Sequence, residues 1–152
     1  MKKTVSKNTK KILIASDHAG FDLKQFLSFE LKKLGFEIED LGCNSAEKSV
    51  DYPDYAKKLC NKIKAKNPLK GILICGSGIG ISIAANRNKH IRAALCHNVK
   101  SAKLSRAHND ANVICLGARL LKNTMALSMV KTFFSTEFEG ARHAARITKL
   151  SK

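Results

Sequence analysis

The sequence predicts an α/β protein, a three-layer α/β/α sandwich with a five-stranded parallel sheet of Rossmann-like type. Five short apolar segments alternate with longer segments of helical periodicity, an order typical of parallel sheets covered by helices on both faces. The apolar run at 72–75 fits a strand buried on both faces. It passes into a loop at 76–80 with three glycines and then into an Ala-rich helix that reaches Asn86. A strand, a glycine loop and a helix in this order aim backbone N–H groups at an anion.

The first half of the chain opens with an apolar strand, and each later element carries a local signal. Apolar residues recur at helical spacing from Phe21 to Leu34, and Gly35 then ends the helix. Apolar and charged residues alternate along the second strand. Pro53 suits the first turn of the next helix, which is basic. The predicted bounds are strand 11–16, helix 21–34, strand 36–41, loop 42–51 and a helix that runs to about residue 66.

The second half continues the same alternation. The predicted bounds are strand 91–95, helix 98–108, strand 112–116, helix 122–135 and helix 138–150. In parallel sheets of this kind, ligands bind beyond the carboxyl ends of the strands. The polar candidates at that edge are Asp17, His18, Cys75, His97, Asn98 and Arg119. The alternative for Asp17 is a helix cap, and the alternative for His97 is an exposed turn.

The glycine loop does not match three familiar phosphate-binding motifs. A dinucleotide fingerprint requires G-x-G-x-x-G, but Ile81 stands at the last required glycine. A thiol phosphatase of the C-x5-R kind requires arginine at the same position. The Gly-Lys-Ser/Thr of a Walker loop is absent from the loop. The alternatives left open for Cys75 are a buried structural cysteine and a reactive thiol whose thiolate the loop N–H groups favour.

Charge and aromatic content bear on the kind of partner. The 152 residues carry a formal net charge of +16, with two Tyr and no Trp. No nucleic-acid motif accompanies this charge, and few side chains are available for base stacking. A basic surface is consistent with an anionic small substrate, so we expect no nucleic-acid partner. We also expect a flexible basic tail at residues 1–10 and a single domain at residues 11–152.

The expected location is the cytoplasm. No apolar run approaches the roughly 18 residues of a membrane span, and no apolar h-region follows the basic N-terminal segment. We therefore expect neither secretion nor a membrane partner. The five cysteines are odd in number and include no C-x-x-C pair, so neither a disulfide framework nor a zinc site is indicated.

Two further clusters are candidates for chemistry. His108 and Asn109 open a dense polar run between a helix and a strand; the alternative is a capping turn. Arg142 and Arg146 lie four residues apart, so they share one face of a helix and could clamp a phosphate. The alternative for these arginines is a solvated basic helix.

The chain resembles the ribose-5-phosphate isomerase type B family, which also contains isomerases of galactose and allose 6-phosphates. The resemblance covers roughly residues 11–150 and rests on several separated motifs in the expected order. These motifs are SDHAGFDLK at 16–24, DYPDYA at 51–56, GILICGSGIGISIAAN at 71–86, IRAAL at 91–95, LSRAHNDANV at 104–113, LGAR at 116–119 and EGARHAARI at 139–147.

The resemblance implies an isomerase without metal or cofactor, which interconverts ribose 5-phosphate and ribulose 5-phosphate through an enediolate in the non-oxidative pentose phosphate pathway. Cys75 matches the catalytic base. Part of the family uses a glutamate six residues later, where this chain has Ile81. His108 matches the residue that opens the sugar ring, and Ser77 keeps the hydroxyl of a threonine frequent in the cysteine users.

The resemblance also assigns the binding residues and the assembly. The substrate-binding positions are Asp17, His18, Tyr52, Gly76, Gly78, Ile79, Gly80, Asn109 and Arg119. The phosphate-binding positions are His18, Arg142 and Arg146. The working unit would be a homodimer with a shared active site, possibly assembled further into a tetramer. Helix 98–108 covers about 16 Å at 1.5 Å per residue and would carry His108 away from Cys75, which favours such sharing.

Two other functions stay open at this point. The first is a galactose-6-phosphate or allose-6-phosphate isomerase, because nothing in the loop excludes one extra carbon. The second is a non-catalytic module that binds sugar phosphates or nucleic acid. The presence of both Cys75 and His108 argues against the second.

Overall fold

The five-stranded parallel sheet predicted from the sequence is present in the computed structural model, which describes residues 10–66 and 68–151. The strands are β1 (Lys11–Ser16), β2 (Glu37–Asp40), β3 (Lys70–Cys75), β4 (Ala93–Leu95) and β5 (Val113–Gly117). The helices are α1 (Phe21–Lys33), α2 (Tyr52–Lys62), α3 (Ile79–Ala85), α4 (Val99–Ala107), α5 (Asn123–Ser135) and α6 (Arg142–Leu150). The strands lie in the order β2-β1-β3-β5-β4, and each neighbouring pair is parallel.

Helices cover both faces of the sheet, which confirms the predicted three layers. Successive strand residues point to opposite faces, and the buried strand residues accordingly divide into two cores. Ile12 and Ile72 pack with residues of α1, α4 and α5 on one face. Leu13 and Leu73 pack with residues of α2 and α3 on the other. The helix α6 lies apart from these layers, and its buried residue is His143.

The register of the three central strands brings their carboxyl ends together. Ser16 at the end of β1 lies opposite Ile74, and Cys75 at the end of β3 lies opposite Gly117 at the end of β5. The segments that follow these strands therefore leave the sheet side by side. This is the edge at which parallel α/β sheets bind ligands.

Some predicted bounds are wrong. The helix predicted to reach about residue 66 ends at Lys62, because Ile63 adopts an extended backbone and turns its fully buried side chain into the core. The last helix was predicted from residue 138 but begins at Arg142, because Gly140 and Ala141 both have positive φ. The strand predicted from residue 91 begins at Ala93.

Two expectations concern the surroundings of the protein. Among the described residues, no helix has the length and apolar character needed to cross a bilayer. The basic tail predicted at residues 1–10 lies outside the described residues, apart from Lys10.

Candidate active site

Cys75 ends β3 at the bottom of the glycine loop. Its side chain is buried in the core beneath α2 and α3, and its Sγ accepts a hydrogen bond of 3.2 Å from the N–H of Gly78. Gly78 has φ +78°, and a Cβ there would come within 2.8 Å of the Leu116 carbonyl carbon. Only glycine therefore lets the loop turn this N–H toward the sulfur. A donated hydrogen bond stabilises a thiolate more than a thiol.

A cavity of about 540 Å³ opens above Cys75. The residues that line it are Asp17, Tyr52, Cys75, Gly76, Ser77, Ile79, Gly80, Arg119 and Leu120. All but the last were predicted as site residues. The cavity combines one thiol, one carboxylate, one guanidinium and two hydroxyls, which is a set suited to a small polar anion.

Two long side chains rest directly on the loop backbone. The Arg119 guanidinium lies against Gly76, where an added Cβ would be 3.0 Å from Nη1, and the Arg119 N–H donates to the Gly76 carbonyl at 3.0 Å. The Tyr52 ring packs on Gly80 so closely that it leaves no space for a Cβ. Glycine at these two positions thus brings a cation and a phenol within reach of the cavity.

Asp17 and Ser77 each accept a hydrogen bond from a nearby backbone N–H, and each keeps a polar group that could contact a ligand. Asp17 accepts a hydrogen bond of 3.1 Å from the N–H of Gly20 and so caps the short 3-10 turn His18–Gly20. It also lines the cavity, so Asp17 is a cap, as the alternative stated, and its role in substrate binding stays a prediction. Ser77 Oγ accepts the N–H of Ile79 at 3.2 Å. Its own hydrogen remains available to donate.

His18 is oriented by a backbone group distant in sequence. Its Nδ1 accepts a hydrogen bond of 3.1 Å from the N–H of Val50. In the neutral ring, the proton therefore resides on Nε2, which can donate to an anion. The other face of the turn is fixed by Gly20, whose added Cβ would meet Ile74 at 2.7 Å. His18 lies two residues after the end of β1 and is not among the residues that line the cavity.

The remaining predicted residues form a second group around the end of α4. The His108 ring stacks on the His143 ring, with centroids 4.3 Å apart and planes at 14°. Glu139 Oε2 lies 3.7 Å from His108 Nε2 and 3.6 Å from His143 Nε2. Burial, followed by the nearby His108 and Arg142, lowers the pKa of His143. Arg142 and Arg146 are exposed on the same helix.

The second group lies near the amino ends of the strands, whereas Cys75 lies at their carboxyl ends. Asn112, four residues after His108, precedes β5, and its carbonyl accepts the N–H of Gly71 near the start of β3. From there β5 runs five residues to Gly117, the register partner of Cys75, a length of roughly 16 Å at 3.3 Å per residue. Asn109 lines a different cavity, of about 510 Å³. One chain therefore brings together only the first group.

Comparison with known proteins identifies the family. The family model described as Ribose/Galactose Isomerase matches residues 12–150. The chain belongs to this family. The family resemblance predicted from the motifs is confirmed.

Relatives and solved structures of this isomerase family match nearly the whole chain. Ribose-5-phosphate isomerase B of Escherichia coli is 41% identical over 142 residues, which cover 93% of this chain and 95% of that protein. The structure of ribose 5-phosphate isomerase B from Anaplasma phagocytophilum has a TM-score of 0.88 at 51% identity and covers 93% of this chain and 97% of its own. The Mycoplasma genitalium enzyme, solved with bound ribulose-5-phosphate, has a TM-score of 0.88 at 43% identity and covers 93% of each chain.

Sequence reasoning missed two partners of His108. Glu139 and His143 belong to a quoted motif, and their spacing of four places them close together on a helix or its first turn. Their contact with His108 connects segments far apart in the sequence, and no local pattern predicts it. The cavity residue Leu120 carries no chemical signal and was also missed.

Proposed function

We propose that this chain interconverts ribose 5-phosphate and ribulose 5-phosphate by proton transfer. The observation that carries the proposal is the Cys75 thiol, which accepts the Gly78 N–H beneath a cavity that also holds Asp17, Tyr52 and Arg119. The Escherichia coli relative, named ribose-5-phosphate isomerase B, and the Mycoplasma genitalium structure with bound ribulose-5-phosphate support the choice of substrate.

Cys75 would act as the base that moves one proton between neighbouring carbons. Its thiolate removes the proton from C2 of the open-chain aldose, and the C–H electrons form the C1–C2 double bond of an enediolate. The same proton then returns to C1, while the hydroxyl proton of O2 passes to O1, so that O2 becomes the carbonyl oxygen and O1 becomes a hydroxyl. A thiol suits this role because its thiolate is a base that a donated hydrogen bond, here from the Gly78 N–H, stabilises.

The glycine loop and Ser77 would stabilise the negative charge that develops on the oxygens. Fixed donors act most strongly where charge appears only in the transition state. The loop at 76–80 supplies backbone N–H groups. The Ser77 oxygen accepts the N–H of Ile79, so the hydrogen of its hydroxyl is free to donate. Asp17, His18, Tyr52, Ile79 and Arg119 would hold the rest of the sugar, as the family resemblance implies.

Ring opening and phosphate binding would come from the second group, contributed by a partner subunit. The imidazole of His108 can accept a proton at one ring nitrogen and donate one at the other, so it can move a proton between the ring oxygen and O1. Asn109 would contact the substrate, and Arg142 and Arg146, with His18, would bind the phosphate by charge-assisted hydrogen bonds. The two groups lie at opposite sheet edges in one chain, so a two-fold dimer is the simplest assembly that unites them. A tetramer would be a dimer of such dimers.

The proposed reaction also has consequences for the need for a cofactor and for the pathway. The proton transfers above need no cofactor, because a thiol, an imidazole and fixed donors account for each step. Isomerisation of ribose 5-phosphate would place the chain in the non-oxidative pentose phosphate pathway, in the cytoplasm.

One assay tests the proposal directly. Ketose formation is measured from ribose 5-phosphate, allose 6-phosphate and galactose 6-phosphate, side by side and at equal protein concentration. We expect the largest kcat/KM with ribose 5-phosphate. A larger value with a six-carbon substrate would shift the assignment within the family. No turnover of any of the three, together with salt-dependent binding of nucleic acid, would favour the non-catalytic module instead.

A further inference from the structure

His108, Glu139 and His143 form a cluster with the composition of a metal site. One side-chain nitrogen or oxygen from each residue lies within 4.8 Å of the other two. Two imidazoles and one carboxylate also make up a known zinc ligand set, in which the fourth position stays open. The cluster stands outside the cavity at Cys75 and uses two residues that the isomerase chemistry proposed above does not employ.

The distances within the cluster are close to those that zinc requires. Zinc binds nitrogen and carboxylate oxygen at 2.0–2.2 Å, so two ligand atoms of a tetrahedral site lie about 3.3–3.6 Å apart. Glu139 Oε2 lies 3.7 Å from His108 Nε2 and 3.6 Å from His143 Nε2. The ligand nitrogens of the two stacked histidines lie within 4.8 Å of each other, so the two imidazoles would turn toward the ion to complete three ligands.

A second observation points to a ligand at the same place. His143 is 6% exposed, and its Nε2 has no hydrogen-bond partner among the described residues. Buried polar nitrogens are nearly always satisfied. The stacked His108 ring holds the imidazole in position, and Glu139 Oε2, at 3.6 Å, is beyond hydrogen-bond length. A metal ion bound at Nε2 would satisfy this nitrogen.

The carboxylate is brought to the histidines by the backbone. The Glu139 N–H donates to the carbonyl of Ala107 at 3.0 Å, which ties the residue to the end of α4 beside His108. Gly140 and Ala141, both with positive φ, then turn the chain so that α6 begins just before His143. The three ligands thus belong to a fixed turn and a helix end, which lowers the cost of ordering them around an ion.

We propose that His108, Glu139 and His143 bind Zn²⁺ and that this ion inhibits the isomerase. The bound ion would occupy the Nε2 lone pair of His108, so that the imidazole could no longer accept a proton from the sugar. The ion would thus be an inhibitor and not a cofactor. The inhibitory part rests on the role of His108 in the proposed function, whereas the binding part does not.

Binding is tested first, without reference to activity. Zn²⁺ is titrated into the full-length protein by calorimetry and by competition with a chromophoric chelator. We expect one saturable equivalent per chain. Glu139→Gln and His143→Gln should each weaken binding by at least about tenfold, because loss of an outer-shell partner alone costs 10–100-fold. The exposed His97 supplies a matched control, and His97→Gln should bind as the parent does.

The thiol is the main competing ligand, so Cys75→Ser is included in the titration. Retention of the single equivalent in this variant supports the histidine cluster. Binding that survives in Glu139→Gln and His143→Gln but disappears in Cys75→Ser would overturn the proposal, as would the absence of a saturable equivalent in the parent. Circular dichroism confirms that each variant is folded, and the use of two ligand variants guards against the failure of one.

Activity is tested second, and its outcome separates the two proposals. Zn²⁺ should inhibit the parent reversibly, with recovery on addition of a chelator, and the ligand variants should lose sensitivity in proportion to their loss of affinity. Saturable zinc binding without inhibition would leave the metal site in place but contradict both the inhibitory step and the acid–base role of His108. Inhibition that is unchanged in both ligand variants would contradict the inhibitory site.

Discussion

Cys75 and His108 lie at opposite edges of the same parallel sheet. Cys75 ends β3 and pairs in register with the last residue of β5, whereas His108 ends α4 and precedes the start of β5. The helix runs back along the sheet, and the length of β5 separates the two ends. If both residues act on one sugar phosphate, as we propose, the simplest arrangement takes them from two different chains.

Mixing two inactive variants tests this arrangement. Cys75→Ala and His108→Ala chains are refolded together in equal amounts, and about half of the dimers should then be mixed by random pairing in a two-fold assembly. Each mixed dimer has one site with both lesions and one intact site. Activity should recover to about a quarter of the parent value. If all groups came from one chain, every site would carry a lesion; absence of recovery, with chain exchange verified by mass spectrometry, would refute sharing.

Replacement of the thiol tests the base. Cys75→Ser should nearly abolish turnover while leaving substrate binding intact, because a serine hydroxyl is a far weaker base at neutral pH. The Gly78 N–H can still donate to the new oxygen, so the loop should keep its shape. Steady-state kinetics and calorimetric substrate binding provide the measurement. Turnover within about tenfold of the parent, or roughly 1.4 kcal/mol of barrier, would remove Cys75 from the role of base.

Alkylation should distinguish Cys75 from Cys60, Cys96 and Cys115. Burial raises the pKa of Cys60 to about 11 and the pKa of Cys115 well above its ordinary value. Burial is also the main cause that raises the pKa of Cys96. These thiols are therefore poor nucleophiles at neutral pH, whereas Cys75 opens onto the cavity. Iodoacetamide should label Cys75 before Cys60, Cys96 and Cys115, should inactivate the enzyme in parallel and should be slowed by substrate; peptide mass spectrometry measures the order of labelling. Equal labelling of Cys60 would contradict it.

The arginines of α6 should serve substrate capture. Arg142→Ala and Arg146→Ala should each raise KM and lower kcat/KM. The loss in kcat/KM should correspond to about 1.5–3 kcal/mol of transition-state stabilisation, the usual size of a hydrogen bond to a charged group. Lys149 provides the matched control, since it is a cation exposed on the same helix. Its change to alanine should leave the kinetics near those of the parent. Unchanged kinetics in both arginine variants would indicate that α6 is only a solvated basic helix.

The pH dependence of stability should reveal one ion-pair cluster at the edge strand. Lys11 and Lys62 contact Glu39 at 2.6 and 2.9 Å, and their hydrogen bonds, first that from Lys11, lower the pKa of Glu39 below its ordinary 4.5. The folded state therefore gains stability above pH 4.5 and loses it as the pH falls through the lower folded pKa.

The substitution Glu39→Gln isolates this contribution. At pH 7 it should lower the free energy of unfolding by about 0.5–1 kcal/mol, the size expected of partly exposed pairs. The difference from the parent should shrink as the pH falls from 4.5 through the lower folded pKa of Glu39, because the parent carboxyl then becomes protonated. Urea unfolding at several pH values provides the measurement, with the exposed Glu47 changed to Gln as control. A difference that stays constant with pH would exclude the carboxylate as its source.

The sequence by itself determined the layers, the glycine loop and most of the cavity. Apolar periodicity and glycine position are local signals, and the residues that follow parallel strands must meet at one edge whatever the details of packing. Asp17, Cys75 and Arg119 could be assigned together for this reason. The direction of the helix after β4 also follows from parallel topology, which is why the distant placement of His108 was predictable.

Only the tertiary structure decided where helices end and which distant side chains meet. Helix α2 ends at Lys62 because the core takes up Ile63, and α6 starts at Arg142 because Gly140 and Ala141 adopt positive φ. The contact of His108 with Glu139 and His143 arises when the turn before α6 is tied to the end of α4. Such contacts depend on packing between segments far apart in the chain, and no periodicity within either segment carries that information.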